Sequence, residues 1–272
     1  TEAYGHEALY HYAQAYFGAA VGDHALALRL PSAYLGVLLV AVGYALGRRL
    51  FGVRMGLLSA AFLAVLFWPV FYSRLALRAI ALPVVAGLSA VAWWHSWAGE
   101  PGRGGAGGTF VAPAPRPPRS PAPLLFLISG ALAGLSLHTY MAARAVPIFY
   151  ALYCAYLALF HRAAFRVRWR GIVAFWLALA AMALPLVAFL LLNPGAEARI
   201  GEVDAPLRAL LAGNPRPVLG NAAQIVAGFG LRGDPLWRQG IAGRPVFDPV
   251  LAVPFYAGVL LCLWRWREPR HA

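Results

Sequence analysis

The sequence predicts an all-α protein, a polytopic bundle of membrane-spanning helices, and three observations carry that prediction. Hydrophobic residues fill 61% of the 272 positions and charged residues only 12%, about half the roughly 25% charged fraction of a soluble domain. The apolar residues gather into runs long enough to cross a hydrocarbon core, which takes about 17–25 residues. All 23 basic residues are arginine, and they stand mostly at the ends of those runs.

Seven runs qualify as spans: 29–47, 55–73, 76–97, 123–141, 145–161, 171–192 and 248–265. Pro69, Pro83 and Pro185 fall inside three of them and are expected to bend their helices. Gly130 and Gly134 form a small-xxx-small pair suited to close helix packing. Two shorter segments read as interfacial. Residues 7–21 mix Tyr10, His11, Tyr12, Gln14 and Tyr16 with alanines, a surface fitted to the headgroup layer, and 218–230 is too short and polar to span. The whole of 1–272 reads as a single transmembrane domain. Within it, 7–21 is a juxtamembrane helix, 98–123 a cytoplasmic linker and 193–247 an extracytoplasmic loop.

The linker is rich in Gly and Pro and has no apolar periodicity. A phosphate-cradling glycine loop needs a strand before it and a helix after it, and neither is present. Cys154 and Cys262 lie within apolar runs and read as core residues, without metal-ligand or disulfide spacing. The excess of arginine is not a nucleic-acid footprint, because no basic domain or motif receives a strand.

Arginine placement orients the bundle. With the N-terminus outside, the inner segments hold thirteen arginines against two acids, and the outer ones ten against eight. The C-terminus is then inside. Thr1 opens the chain without a methionine, and the last residues follow directly on an apolar run, so both ends read as cut and the chain as a fragment.

Chemistry-bearing residues collect at the outer ends of the runs. His6 and His11 are five apart, about 140° around a helix, so no zinc-protease pair forms; Glu7 and His11 can share a face, as a metal pair or as an ordinary hydrogen-bonded one. Arg74 and Arg78, four apart, read as one helical face where two runs meet. They either snorkel to lipid phosphates or grip an anionic headgroup, since guanidinium binds phosphate in a bidentate fork. Tyr140 and Arg144 repeat that arrangement at another outer turn. Asp234 and Arg238 flank Trp237 in a loop that an Asp–Arg pair would hold. Asp248 followed by Pro249 has the form of a helix N-cap with proline at the first helical position.

Four segments carry a family resemblance: GHEALYHYAQAYFGAAVGDHALALRLPSAYLG, GRRLFGVRMGLLSAAFLAVLFWPVFYSRLALRAIALP, LHTYMAARAVP and LRGDPLWRQGIAGRPVFDP. They resemble the bacterial membrane glycosyltransferases of the GT-C superfamily, relatives of protein O-mannosyltransferases and aminoarabinose transferase. The resemblance leaves out 98–123 and 195–217. It implies a cytoplasmic-membrane enzyme that takes a sugar from a polyprenyl-phosphate donor on the extracytoplasmic side and passes it, with inversion, to a lipid, protein or glycan acceptor. The family's main catalytic carboxylate lies in a first outer loop, upstream of Thr1, so the fragment alone is expected to be inactive. Glu7 matches an acidic or polar position of the second loop motif, beside His6, although Ala8 stands where proline is usual. Its role is left open among catalytic helper, metal ligand and acceptor contact, and a divalent metal is possible. Arg74, Arg78 and Arg144 are expected near the donor phosphate, with His6, Tyr140, Asp234 and Arg238 contacting substrate. A transporter or lipid flippase for an anionic substrate is the alternative. Transporters keep ionisable groups near the midplane, whereas here the charges collect at span ends.

Overall fold

A computed structural model describes residues 9–22, 24–97, 123–193, 205–235 and 241–271. His6, Glu7, the 98–122 part of the expected linker, Trp237 and Arg238 lie outside the described residues. The described chain is helical, with no strand among those residues: α1 (Leu9–Val21), α2 (Ala25–Phe51), α3 (Val53–Val65), α4 (Phe67–Arg74), α5 (Ala81–Ser96), α6 (Pro123–Ser136), α7 (Ala145–Phe160), α8 (Arg162–Leu192), α9 (Ala205–Leu211), α10 (Arg216–Gly230) and α11 (Pro249–Trp264).

Proline decides where many of these helices begin. Pro69, Pro83 and Pro147 are each the third residue of a helix, Pro206 and Pro217 the second, and Pro123 and Pro249 the first. A proline has no N–H to donate and its ring clashes one turn back, so it is tolerated in the first turn and disruptive later. Pro83 therefore marks the start of α5 and does not kink a span. At Pro69 the expected bend is present: α3 and α4 meet at 54°, through an extended Leu66 (φ −62°, ψ 139°). Pro185 lies inside a continuous α8.

Four helical stretches are long and apolar enough to cross a membrane: Ala25–Phe51, Arg78–Ser96, Met141–Phe160 and Arg162–Leu192. The bent pair α3–α4 makes a fifth if it counts as one span. The other two expected spans are the apolar helices α6 and α11, of 14 and 16 residues, which rise only about 21 and 24 Å at 1.5 Å per residue. The seven runs are thus all helical, while four or five have spanning length. Helix α8 starts nine residues before its expected run, because Arg162, Arg166, Arg168 and Arg170 stand among good helix formers with no breaker.

The contacts gather into two compact units, within His6–Leu192 and from Asn193 onward. In the first, small polar side chains are buried within an apolar core, and many large apolar side chains face outward. Ser32, Ser89, Ser129 and Ser136 are fully buried, while Phe149, Leu184 and Leu192 are exposed, Leu192 to 79%. That arrangement is what lipid as solvent requires, since hydroxyls must find partners inside and leucine loses nothing outside. Ser89 and Ser129 each donate to the other's carbonyl at 2.8 Å, clasping α5 to α6, and Tyr150 of α7 reaches the Ser89 hydroxyl at 2.8 Å. A Cβ on Gly130 would lie 2.0 Å from the Phe175 carbonyl oxygen, and one on Gly134 would lie 2.6 Å from that of Leu179. The small-residue pair therefore brings α6 against the backbone of α8, as expected. Trp93 fills the centre, with Phe126, Tyr150 and Phe175 rings within about 5 Å of it.

The second unit is built on α9, α10 and α11. Asp248 caps α11 by accepting from the Leu251 N–H at 2.9 Å, the N-cap that the Asp–Pro pair predicts. Phe229, Phe247 and Phe255 stack between α10 and α11. Of the two cysteines, both free, Cys154 is buried and Cys262 half-buried.

Candidate active site

Within His6–Leu192 two connections meet at one end of the bundle. The first joins α4 to α5. Arg74 is the last residue of α4, after which Leu75 (φ −95°, ψ 145°) and Leu77 (φ −111°, ψ 127°) are extended, and Arg78 opens a short 3₁₀ turn to Ile80. Arg74 and Arg78 consequently do not share a helical face. The break has two physical causes: Pro83 forces a new helix to start close upstream, and Ile80 anchors the turn, only 2% exposed. Arg74 is exposed and Arg78 half-buried.

The second connection joins α6 to α7. Helix α6 stops at Ser136, and the hydroxyls of Ser136 and Thr139 donate to the carbonyls of Ala133 and Ser136, each at 2.6 Å. These bonds satisfy carbonyls that the helix end leaves open. Tyr140 is extended (φ −160°, ψ 145°) ahead of a 3₁₀ turn, Met141–Arg144, that leads into α7. Tyr140 and Arg144 thus bracket a tight turn and are not stacked on one helix face. Both are half-buried.

These connections are brought together by Arg78, whose guanidinium carbon sits 5.5 Å from the centre of the Tyr140 ring. A cation over an aromatic face gains about 0.5–2 kcal/mol, more where water is thin. Tyr72, two residues before the end of α4, lies within electrostatic reach of Tyr140. The sequence-predicted pairs Arg74/Arg78 and Tyr140/Arg144 therefore belong to one end of one unit, and Arg78 with Tyr140 forms its contact point.

Helix α1 is tied to the same end. Tyr10 is 3% exposed and its hydroxyl shares a short hydrogen bond with Ser32 of α2, while Ser32 reaches the Leu77 carbonyl at 3.5 Å. Burial pushes the Tyr10 hydroxyl above its ordinary pKa, against a smaller lowering from the Ser32 bond. His11 bonds Gln14 at 3.1 Å, and Gln14 donates to the Leu28 carbonyl at 3.1 Å, so His11 belongs to a hydrogen-bonded polar face. Sequence reasoning placed Tyr10 at the interface and missed its burial; Ser32, beside Pro31 in an otherwise apolar helix, is the signal that points to it. No three of His, Cys, Asp and Glu come together among the described residues.

The opposite end of this unit collects arginines. Arg49 of α2 donates to the Trp94 carbonyl at 2.9 Å, and Arg168 lies 4.1 Å over the Trp97 ring. Arg168 is only 5% exposed, whereas Arg166 is exposed.

Asp234 lies in the second unit and is exposed. Its carbonyl accepts from the Gly243 N–H at 2.7 Å, and the Gly233 N–H donates to the Gly243 carbonyl at 3.1 Å. A Cβ on Gly233 would overlap the Arg244 carbonyl oxygen at 1.9 Å, so glycine is what lets these two strands of the loop touch.

A family model described as dolichyl-phosphate-mannose-protein mannosyltransferase matches residues 6–110. That segment, less than half of the chain, is similar to GT-C-type membrane glycosyltransferases. The matched segment holds His6, Glu7, Arg74 and Arg78, whereas Tyr140, Arg144, Asp234 and Arg238 follow it. Comparison with curated proteins and with solved structures gives no match. With four or five helical stretches long and apolar enough to cross a membrane, the chain has the make-up of a multi-pass membrane protein.

Proposed function

We propose that the protein transfers a sugar from a polyprenyl-phosphate donor to a lipid, protein or glycan hydroxyl on the extracytoplasmic side of a bacterial cytoplasmic membrane. The observation that carries this reading is the Arg78–Tyr140 contact, which joins two arginine-bearing turns at one end of the bundle. Displacing a phosphate from an anomeric carbon requires positive charge where the leaving oxygen gains its electron pair. The acceptor oxygen forms the new bond to that carbon, the carbon–phosphate-oxygen bond breaks, and the acceptor's proton passes to a base. In this reading Arg78, Arg74 and Arg144 hold the phosphate, and Tyr140 holds the Arg78 guanidinium in place. Glu7 is the base or a substrate contact, with His6 beside it. Asp234 and Arg238 serve acceptor recognition, and a divalent metal is left open. Outward placement follows the arginine bias: the end opposite the site carries Arg48, Arg49, Arg162, Arg166 and Arg168.

The midplane gives no support to transport, because Ser89, Ser129 and Tyr150 are bonded to one another. The test is sugar release from a radiolabelled polyprenyl-phosphate mannose by membranes carrying the product of the full gene. Release should depend on Arg78 and not on Arg166. Release unchanged in Arg78→Ala, or absent with every polyprenyl-phosphate sugar offered, would remove the proposal.

A further inference from the structure

Helix α2 begins at the end where the two connections meet, and its first turns carry Arg29. Arg29 is exposed, and among the described residues its guanidinium has no hydrogen bond, ion pair or ring contact. Its direction follows from its neighbours on the helix. Ser32 reaches the Leu77 carbonyl, and a Cβ on Gly36 would overlap that of Ser73, so this face of α2 packs against the α4–α5 connection. At roughly 100° per residue, Arg29 falls about 20° from Gly36 and about 60° from Ser32, on that same face. It also lies three residues nearer the helix start than Ser32, about 4.5 Å along the axis. Helical side chains lean toward the N-terminus of their helix. The Arg29 side chain is therefore directed past the level of Leu77, toward the turn that Arg78 opens. Arg74 is likewise exposed and without such a contact among the described residues, whereas Arg78 is held by Tyr140.

From this placement we infer that Arg29 is a further arginine of the donor-phosphate site, acting with Arg74 as its open cations. The inference rests on the transfer reading and adds to it a residue from α2. Transfer breaks the bond between the anomeric carbon and the phosphate oxygen and leaves the electron pair on that oxygen, so the departing lipid phosphate gains a negative charge. A guanidinium with no partner in the fold is free to receive that charge through two parallel N–H bonds. The packing at Ser32 and Gly36 fixes α2 against the α4–α5 connection, so Arg29 and Arg74 are carried on one frame. An exposed arginine near a helix end also serves as an anchor to any lipid headgroup. The two roles share phosphate chemistry and differ in which lipid they select.

The experiment uses the product of the full gene in detergent, offered polyprenyl monophosphate or phosphatidylglycerol. Binding is read by native mass spectrometry, and thermal unfolding is followed in parallel. Arg29→Ala should bind polyprenyl monophosphate at least about tenfold more weakly, the loss of one charged hydrogen bond. Its phosphatidylglycerol binding and its unfolding temperature should match the wild type. Arg29→Lys should be intermediate, because an ammonium keeps the charge without the fork. Arg54→Ala, which removes an exposed arginine at the start of α3, should bind both lipids as the wild type does. Equal weakening toward the two lipids in Arg29→Ala would make Arg29 a general headgroup anchor and overturn the inference. Wild-type affinity in Arg29→Ala would overturn it too, and loss of binding in Arg78→Ala beside it would leave the transfer reading standing. Early unfolding of Arg29→Ala and Arg29→Lys alike would assign the side chain to the fold instead. A wild type that binds no polyprenyl monophosphate would remove both readings.

Discussion

The guanidinium of Arg78 and the ring of Tyr140, 62 positions apart in the chain, face each other at 5.5 Å. The pairing sets the guanidinium against the face of the ring, and that contact sorts the expected effects of substitution.

Arg78→Ala should lower the catalytic efficiency of sugar transfer about ten- to hundredfold, the worth of a charged hydrogen bond at 1.5–3 kcal/mol. Arg78→Lys should recover part, because an ammonium keeps the charge but not the fork. Arg74→Ala and Arg144→Ala should fall in the same direction, with Arg166→Ala as the unaffected control. Transfer measured at matched folded-protein levels decides it; equal rates throughout would make these arginines membrane anchors.

Tyr140 separates ring from hydroxyl. Tyr140→Phe should leave most activity, whereas Tyr140→Leu should cost about 0.5–2 kcal/mol of transition-state binding through a loosened Arg78. If the two variants are equally impaired, the hydroxyl matters more than the stack.

Tyr10 gives a pH signature. Burial raises its pKa in the fold, so the neutral hydroxyl stabilises the folded state fully below the unfolded value of about 10. That stability is lost as pH rises through the folded value. Thermal unfolding in detergent should show an alkaline loss that disappears in Tyr10→Phe, at a cost of about 1 kcal/mol for the missing bond to Ser32. An alkaline limb identical in both proteins would assign the titration elsewhere.

Sidedness is checked with cysteines in a background lacking Cys154 and Cys262. Ala76→Cys, at the site end, should react with an impermeant thiol reagent added outside intact cells. Arg54→Cys, between α2 and the middle of α3, should react only after permeabilisation. The reverse pattern would put the candidate site in the cytoplasm.

Much of this architecture was legible because lipid and proline impose simple rules. Apolar runs located every long helix, the Gly130/Gly134 pair announced the closest helix contact, and Asp248 announced its cap. Three features were hidden. Leu75, Ala76 and Leu77 are ordinary helix formers, so only Pro83 hinted that Arg74 and Arg78 sit on separate elements. The burial of Arg168 depends on Trp97, 71 positions away, a distance at which no local pattern speaks. The Arg78–Tyr140 contact likewise joins two turns that were each readable, while their meeting was not.

The mutual bonds of Ser89 and Ser129 have a bearing on how the protein assembles. Helices α5 and α6 are consecutive in the chain but end and begin 27 positions apart, at Ser96 and Pro123, so their mutual alignment is set by what they bond to in the bundle. Leucine and alanine surfaces sliding past one another in lipid pass through many nearly equal alignments. The serine clasp singles out one of them, because a shift by one turn breaks both bonds at a depth where water offers no replacement. A pair of hydroxyls thus acts as a latch that sets the vertical alignment of the two halves, and with it the height at which Arg78 meets Tyr140.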